Sequence, residues 1–295
     1  MPVPSRPILV WLALSGIWGS TWLFIKLGLD DLPPVSFAGI RFVVAAAILW
    51  GIVLARRIPV PRGGRAWGLI AATGFIQFTL NYGLLFWGER RVSSGLAAVL
   101  QATIPAFGLV IAHVYLPLDR LSPAKIAGVA LGIGGVALIF SNQMTFEGTD
   151  ALLGSVAIVA GAFCAAYASV LVKARGRDLD PVVLSAGQMT VGLVPLLVAG
   201  FSVEGSPLAF HWTPLAWICV LYLAIVGSVV AFILYYWLIR RMDVTKTMLI
   251  SLVTPILAVL LGMVTLGETL TWRTVAGAAA IMSGIAFIGL FPRRK

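Results

Sequence analysis

Two matched pairs of aromatic residues are the first candidates for recognising a ligand. Trp18 and Trp22 stand four residues apart, and Phe163 and Tyr167 repeat that spacing at an offset of 145. Residues at i and i+4 share one face of a helix. Rings held at matching depth on two elements suit an organic substrate with an apolar part, through apolar contact, stacking or cation–π attraction to an amine. Ordinary packing between helices is the alternative for any one ring. Polar residues inside apolar stretches form a second group: Gln77, Asn81 and Tyr82 in one stretch, and Gln101 with Thr103 before Pro105 in the next. An unpaired polar group in an apolar phase is costly, so such residues turn toward protein or a wet cavity. Pro105 deprives the Gln101 carbonyl of its usual helical donor, and Pro255 does the same to the Ser251 carbonyl. Carbonyls freed in this way can accept from an ammonium group, or a neighbouring hydroxyl can satisfy the kink. Tyr235 and Tyr236 lie side by side, one of them facing lipid or the interface, and Tyr235 completes the expected substrate-binding set.

Several chemistries find no support. The sequence has no Ser-His-Asp set at one depth, no GxSxG, no HExxH and no GxxxxGK[ST]. An enzyme is therefore not expected, and no cofactor is implied. Cys164 and Cys219 sit inside apolar runs without metal-ligand spacing, so neither a disulfide nor a zinc site is expected. No Asp or Glu falls in the middle of an apolar stretch; Glu89, Asp119, Asp243 and Glu268 all lie at the ends. A proton relay or sodium site built on a buried carboxylate has no evident candidate. Arg41 is the deepest charge, and helix packing or snorkelling accounts for it ahead of substrate binding. His113 and His211 each stand alone and read as structural. Gly128, Gly132 and the run to Gly135 lie within an apolar stretch, where small residues serve close helix packing within one protomer or between two. A monomer or a homodimer is compatible with that.

The elements that position these residues must be membrane helices. Hydrophobic residues make up 60% of the 295 and charged ones only 11%, against about a quarter charged in soluble domains. Crossing about 30 Å of hydrocarbon takes about 20 apolar residues. Ten such spans are read at 8–29, 35–54, 67–87, 94–116, 122–140, 152–171, 182–201, 214–238, 245–265 and 273–291. Proline marks the joints at Pro33-Pro34, Pro181 and Pro214, since it lacks the amide donor and disfavours helix in the residue before it. The first span is expected to be retained, being too long for a signal-peptide core.

The chain is also a tandem repeat. Arg90, Arg91 and Pro105 return 150 residues later as Arg240, Arg241 and Pro255. Asp119, Leu121, Gly128 and Gly135 return at 149 as Glu268, Leu270, Gly277 and Gly284, while Pro34 and Arg41 are matched at 147 by Pro181 and Gln188. The expected division is residues 1–141, a linker at 142–150 and a second copy at 151–295. Five spans per copy is an odd number, so the second copy enters from the opposite side and the halves are inverted across a shared site. With the N-terminus inside, 16 of the 21 basic residues fall in cytoplasmic loops, which places both ends of the chain there. The net charge of +10 thus reads as a topology signal, and no nucleic-acid partner is expected.

Trp18-Gly19-Ser20 in span 1, the Pro34-to-Arg41 spacing in span 2, and the Leu266-to-Thr271 turn followed by Gly277 and Gly284 resemble the drug/metabolite transporter superfamily, specifically its EamA-type repeat. The resemblance covers almost the whole chain and extends to YddG-type bacterial exporters of aromatic and other apolar amino acids. It implies ten helices as two inverted five-helix halves, both ends cytoplasmic in a bacterial inner membrane, and a central cavity lined mainly by spans 1, 3, 4, 6, 8 and 9. The first copy departs from the turn pattern, with Pro117-Leu118-Asp119-Arg120-Leu121 replacing the glycine-glutamate. The expected function is alternating-access export of amphipathic small molecules, facilitative in the absence of a buried carboxylate. Nucleosides, nucleotide sugars or cationic drugs are the alternative cargoes of the same fold.

Overall fold

A chain this apolar must satisfy its backbone N–H and C=O groups within each segment, and helices do so. The structure, a computed structural model, describes residues 5–92, 94–117, 121–139, 141, 148–266 and 271–290. Among these residues every regular element is helical. The first copy holds α1 (Ser5–Leu29), α2 (Pro34–Ala55), α3 (Gly64–Gly74), α4 (Tyr82–Glu89), α5 (Ser94–Gln101), α6 (Ile104–Tyr115) and α7 (Pro123–Ile139). The second holds α8 (Gly148–Arg175), α9 (Pro181–Glu204), α10 (Pro214–Ala224), α11 (Ala231–Arg241), α12 (Val244–Met248), α13 (Ile250–Leu266) and α14 (Trp272–Leu290). Two π-helical stretches, Phe75–Asn81 and Ile225–Val230, join α3 to α4 and α10 to α11. They begin 150 residues apart, at the repeat offset.

Seven of the described helical segments are long and apolar enough to cross a membrane, and Pro123–Ile139, Val244–Leu257 and Trp272–Ile288 are shorter apolar helices. The Asp119–Arg120 turn, residues 142–147 of the expected linker, the turn through Glu268 and the basic tail at 291–295 lie outside the described residues.

Helix starts follow the joints read from proline. Pro34, Pro181 and Pro214 each occupy the first turn, where the missing N–H would be unpaired anyway. Asp180 caps α9 by accepting from the Val182 amide at 2.8 Å. The α2 start is capped from outside: the Glu204 carboxylate accepts from the amides of Val35 at 3.0 Å and Ser36 at 2.7 Å. Thr213 caps α10 and donates its hydroxyl to Asp31, whose other oxygen lies 2.8 Å from His211 Nδ1. The Thr213 hydrogen bond, then that of His211, holds the Asp31 carboxyl below its ordinary range. These contacts tie the α1–α2 joint to α10.

Packing follows a reciprocal scheme. α2 lies along α9 and α7 along α14, while α1 packs on α13 and α8 on α6. The repeat offset carries the α1–α13 pair onto α8–α6. Small residues set the closest crossing. A Cβ on Gly128 would stand 2.6 Å from the Gly284 carbonyl oxygen, and one on Gly284 2.5 Å from that of Gly128. Gly135 and Gly277 are related in the same way, at 2.6 and 2.5 Å. Only a residue without Cβ permits backbones to approach so closely, and the pairing makes α7 and α14 antiparallel. A cluster of large buried rings lies where α2, the first π-helical stretch, α4 and α11 meet. There Phe42, Phe78, Phe86 and Phe232 are fully buried, with Phe78 4.8 Å from Phe232 and 5.1 Å from Phe42 between ring centroids.

Candidate functional site

Eight of the ten residues expected to bind substrate line one cavity of about 140 Å³: Trp18, Trp22, Gln77, Asn81, Tyr82, Gln101, Tyr235 and Ser251. α1 presents a stripe of Trp18, Thr21, Trp22 and Ile25 to it, the i, i+3, i+4, i+7 spacing of one helix face. Gln77 and Asn81 come from the first π-helical stretch and Gly227 from the second. A π turn inserts one extra residue and re-aims the side chains around it, which is why such turns cluster at functional sites.

Trp18 is held from three sides. Its indole N–H donates to the Gly227 carbonyl at 3.3 Å, and its ring lies 5.6 Å from Phe232 and 5.1 Å from Tyr235. The Tyr235 hydroxyl donates to Ser169 Oγ at 2.9 Å, so this tyrosine is fixed rather than free. Tyr236 is also buried, 3% exposed, and does not line the cavity; neither tyrosine is the lipid-facing one expected. Of the carbonyls freed by the prolines, that of Ser251 accepts from the Thr254 hydroxyl at 3.4 Å, whereas the hydroxyls of Thr103 and Ser251 turn to other carbonyls. Thr103 donates to the Leu100 carbonyl at 2.6 Å and Ser251 to that of Met248 at 2.9 Å.

Phe163 and Tyr167 do not reach the cavity. Phe163 is 45% exposed; it stacks on Tyr167 at 6.1 Å and meets the edge of Phe107 at 5.6 Å. The Tyr167 hydroxyl pairs with that of Tyr115 at 3.2 Å. On α8 the cavity positions are Ala165 and Ser169, which lie 147 residues after Trp18 and Trp22. The 145 offset was therefore two residues short, and two residues turn a helix by about 200°. That rotation puts both rings on the far face.

Arg41 corrects a second expectation. It does not snorkel, being 3% exposed, and it packs among rings as part of the cavity wall. Three rings flank its guanidinium, with Phe42 and Tyr82 at 4.6 Å and Phe86 at 5.4 Å from the central carbon. Thr21, Ser169, Phe232 and Thr254 also line the cavity and were missed. Thr21 and Thr254 each stand three residues beyond an expected site residue, so helical spacing would have found them; Ser169 needed the correct offset. Three buried polar atoms on the wall have no hydrogen-bond partner among the described residues: Arg41 Nε, Asn81 Oδ1 and Gln101 Nε2. Arg41 is the one charged side chain among the described residues that line the cavity.

Comparison with known proteins agrees with this architecture. Residues 6–141 and 152–290 each match the model described as the EamA-like transporter family. An uncharacterized transporter YoaV of Bacillus subtilis (strain 168) is 28% identical over 96% of this chain and 97% of its own. An uncharacterized inner membrane transporter YedA of Escherichia coli (strain K12) is 31% identical, covering 88% of this chain and 82% of its own. A probable amino-acid metabolite efflux pump of the same strain is 27% identical over 94% and 92%. One solved crystal structure aligns with a TM-score of 0.84 over 97% of both chains at 21% identity, a likeness of fold.

Proposed function

Since this chain belongs to the EamA-like transporter family, we propose that it exports apolar or aromatic amino acids, and amphipathic small molecules like them, across a bacterial inner membrane. The observation that carries this reading is the cavity itself, whose lining combines rings on α1 and α11 with unpartnered amide and guanidinium groups. Rings accept an apolar side chain, and unpaired donors and acceptors suit a zwitterion. The size of the cavity supports the same class. At about 140 Å³ it is below the roughly 300 Å³ at which drug-sized pockets begin, so a nucleotide sugar would demand far more separation of the walls than one amino acid.

The mechanism proposed is alternating access by two inverted five-helix halves, residues 1–141 and 151–295, joined by 142–150. The reciprocal glycine crossing of α7 and α14, the self-paired α2 and α9 and the repeated π turns support it, as does the relation of an inverted repeat to a midplane site. Both ends of the chain are taken as cytoplasmic, and reporter fusions that put them on different sides would refute the inversion. With no Asp or Glu among the described residues that line the cavity, export is proposed to be facilitative. Proteoliposomes carrying the purified protein should pass labelled phenylalanine down its gradient at a rate unchanged when a pH gradient is collapsed. Accumulation against the gradient that an uncoupler abolishes would refute facilitation. Flux of nucleosides or cationic dyes in place of phenylalanine would refute the substrate class.

A further inference from the structure

The Arg41 guanidinium is a cation inside an apolar bundle, and among the described residues no carboxylate pairs with it directly. Among the described residues no carboxylate stands within 4 Å of it. Glu89, at the end of α4, influences it only at longer range, and the Tyr82 hydroxyl within its reach is neutral. The three flanking rings stabilise a cation and hold its plane, yet the only acceptor they offer its N–H groups is the neutral Tyr82 hydroxyl. Its Nε is buried and unpartnered. A buried charge left without a counter-ion is strongly disfavoured, so a cavity wall that presents one is completed by an anion arriving from outside. Gln101 Nε2, in the lining of the same cavity, is a second donor lacking an acceptor, while Asn81 Oδ1 is an acceptor lacking a donor.

We propose that Arg41, assisted by Gln101, is a carboxylate-binding subsite, and that the carboxylate rather than the amine is the group on which this transporter selects its cargo. The inference rests on the reading of the cavity as a site for small amphipathic molecules and narrows it. A planar guanidinium meets a carboxylate through two parallel N–H bonds, whereas an ammonium is offered only neutral oxygens and ring faces, with Asn81 Oδ1 the unpartnered acceptor among them, and is repelled by Arg41. Small aromatic or apolar carboxylates without an α-amino group are therefore cargo, and lipophilic amines are not. The second copy shows that the fold does not need a charge here. At the position matched to Arg41 stands Gln188, which donates to Thr73 Oγ1 at 2.6 Å and is fully buried away from the cavity.

Two probes that divide phenylalanine between them test this. 3-Phenylpropionate keeps the ring and the carboxylate; phenethylamine keeps the ring and the amine. Their binding to the purified full-length protein, with phenylalanine alongside, is measured by calorimetry at neutral pH. Phenylpropionate should bind at least about tenfold more tightly than phenethylamine, given that hydrogen bonds to a charged group are the strong ones. Arg41→Gln should weaken phenylpropionate roughly tenfold to a hundredfold and leave phenethylamine no weaker, and Arg41→Lys should fall between. Equal binding of the two probes, or phenylpropionate affinity untouched in Arg41→Gln, overturns the subsite. If Arg41→Gln does not fold, the wild-type ratio decides alone. Binding of phenethylamine with refusal of phenylpropionate overturns the subsite while leaving the transporter reading in place, and failure of all three ligands to bind overturns both.

Discussion

Helices α1 and α8 hold matching places in the packing scheme, against α13 and α6 respectively, yet they bring opposite side chains to the cavity. α1 contributes Trp18 and Trp22; α8, at the same positions, contributes Ala165 and Ser169. The next pair diverges as well, with Arg41 on the wall and Gln188 turned to Thr73. Where the two copies cross at α7 and α14, by contrast, they are interchangeable, since Gly128 and Gly135 face the carbonyls of Gly284 and Gly277 and are faced by them in turn. The framework obeys the duplication because helix crossings tolerate only small residues. The cavity does not, which fits the proposed cargo, since a ligand with an apolar end and a polar end calls for unlike partners.

The crossing is where a substitution should cost most. Gly135→Ala and Gly277→Ala each push a methyl onto a facing carbonyl, and each should lower the thermal midpoint alike, by about 1–3 kcal/mol of stability. Gly134→Ala, next door, has open space at its Cβ and should be neutral or stabilising by up to about 1 kcal/mol. Unequal losses at 135 and 277 would break the reciprocity. A smaller effect is expected at the rings. Trp18→Ala should reduce phenylalanine flux roughly three- to tenfold, in line with ring contacts of about 0.5–1.5 kcal/mol, with the folded yield unchanged. Phe163→Ala should change flux less than about twofold; a larger loss there would restore the symmetric, ring-lined cavity.

Below these comes Ser169→Ala, which strands the buried Tyr235 hydroxyl and should cost about 1 kcal/mol in a denaturation series. Tyr235→Phe in the same background should recover most of it, since both partners are then apolar. The weakest effect concerns the tether between the copies. The folded Asp31 carboxyl titrates below its unfolded value, so its contribution is complete above about pH 4 and is lost as pH falls through the folded value. Asp31→Asn should flatten that part of the stability–pH curve, and an unchanged acid limb would remove Asp31 from the tether.

Much of the site was legible because hydropathy and helical spacing are local properties. Gln77, Asn81 and Gln101 stand out as polar residues in apolar stretches, and all three reach the cavity. Arg41 stood out equally, but its direction was misjudged. A long side chain near a helix start can reach the interface as easily as the interior, and only the rings of Tyr82 and Phe86, more than 40 residues away, settle which. The aromatic pair on α8 failed for a geometric reason, an offset error of two residues that hydropathy alone does not penalise.

Amino-acid order by itself determined that this chain forms apolar helices, that proline and glycine end and cross them, and that the plan is written twice. Those outcomes depend on residue type and on spacing within one turn. Tertiary structure alone decided which face of each helix meets the cavity and that the charge of Arg41 belongs to its wall. Each residue of helical register is worth about 100° of rotation, and only the neighbouring helices fix that angle.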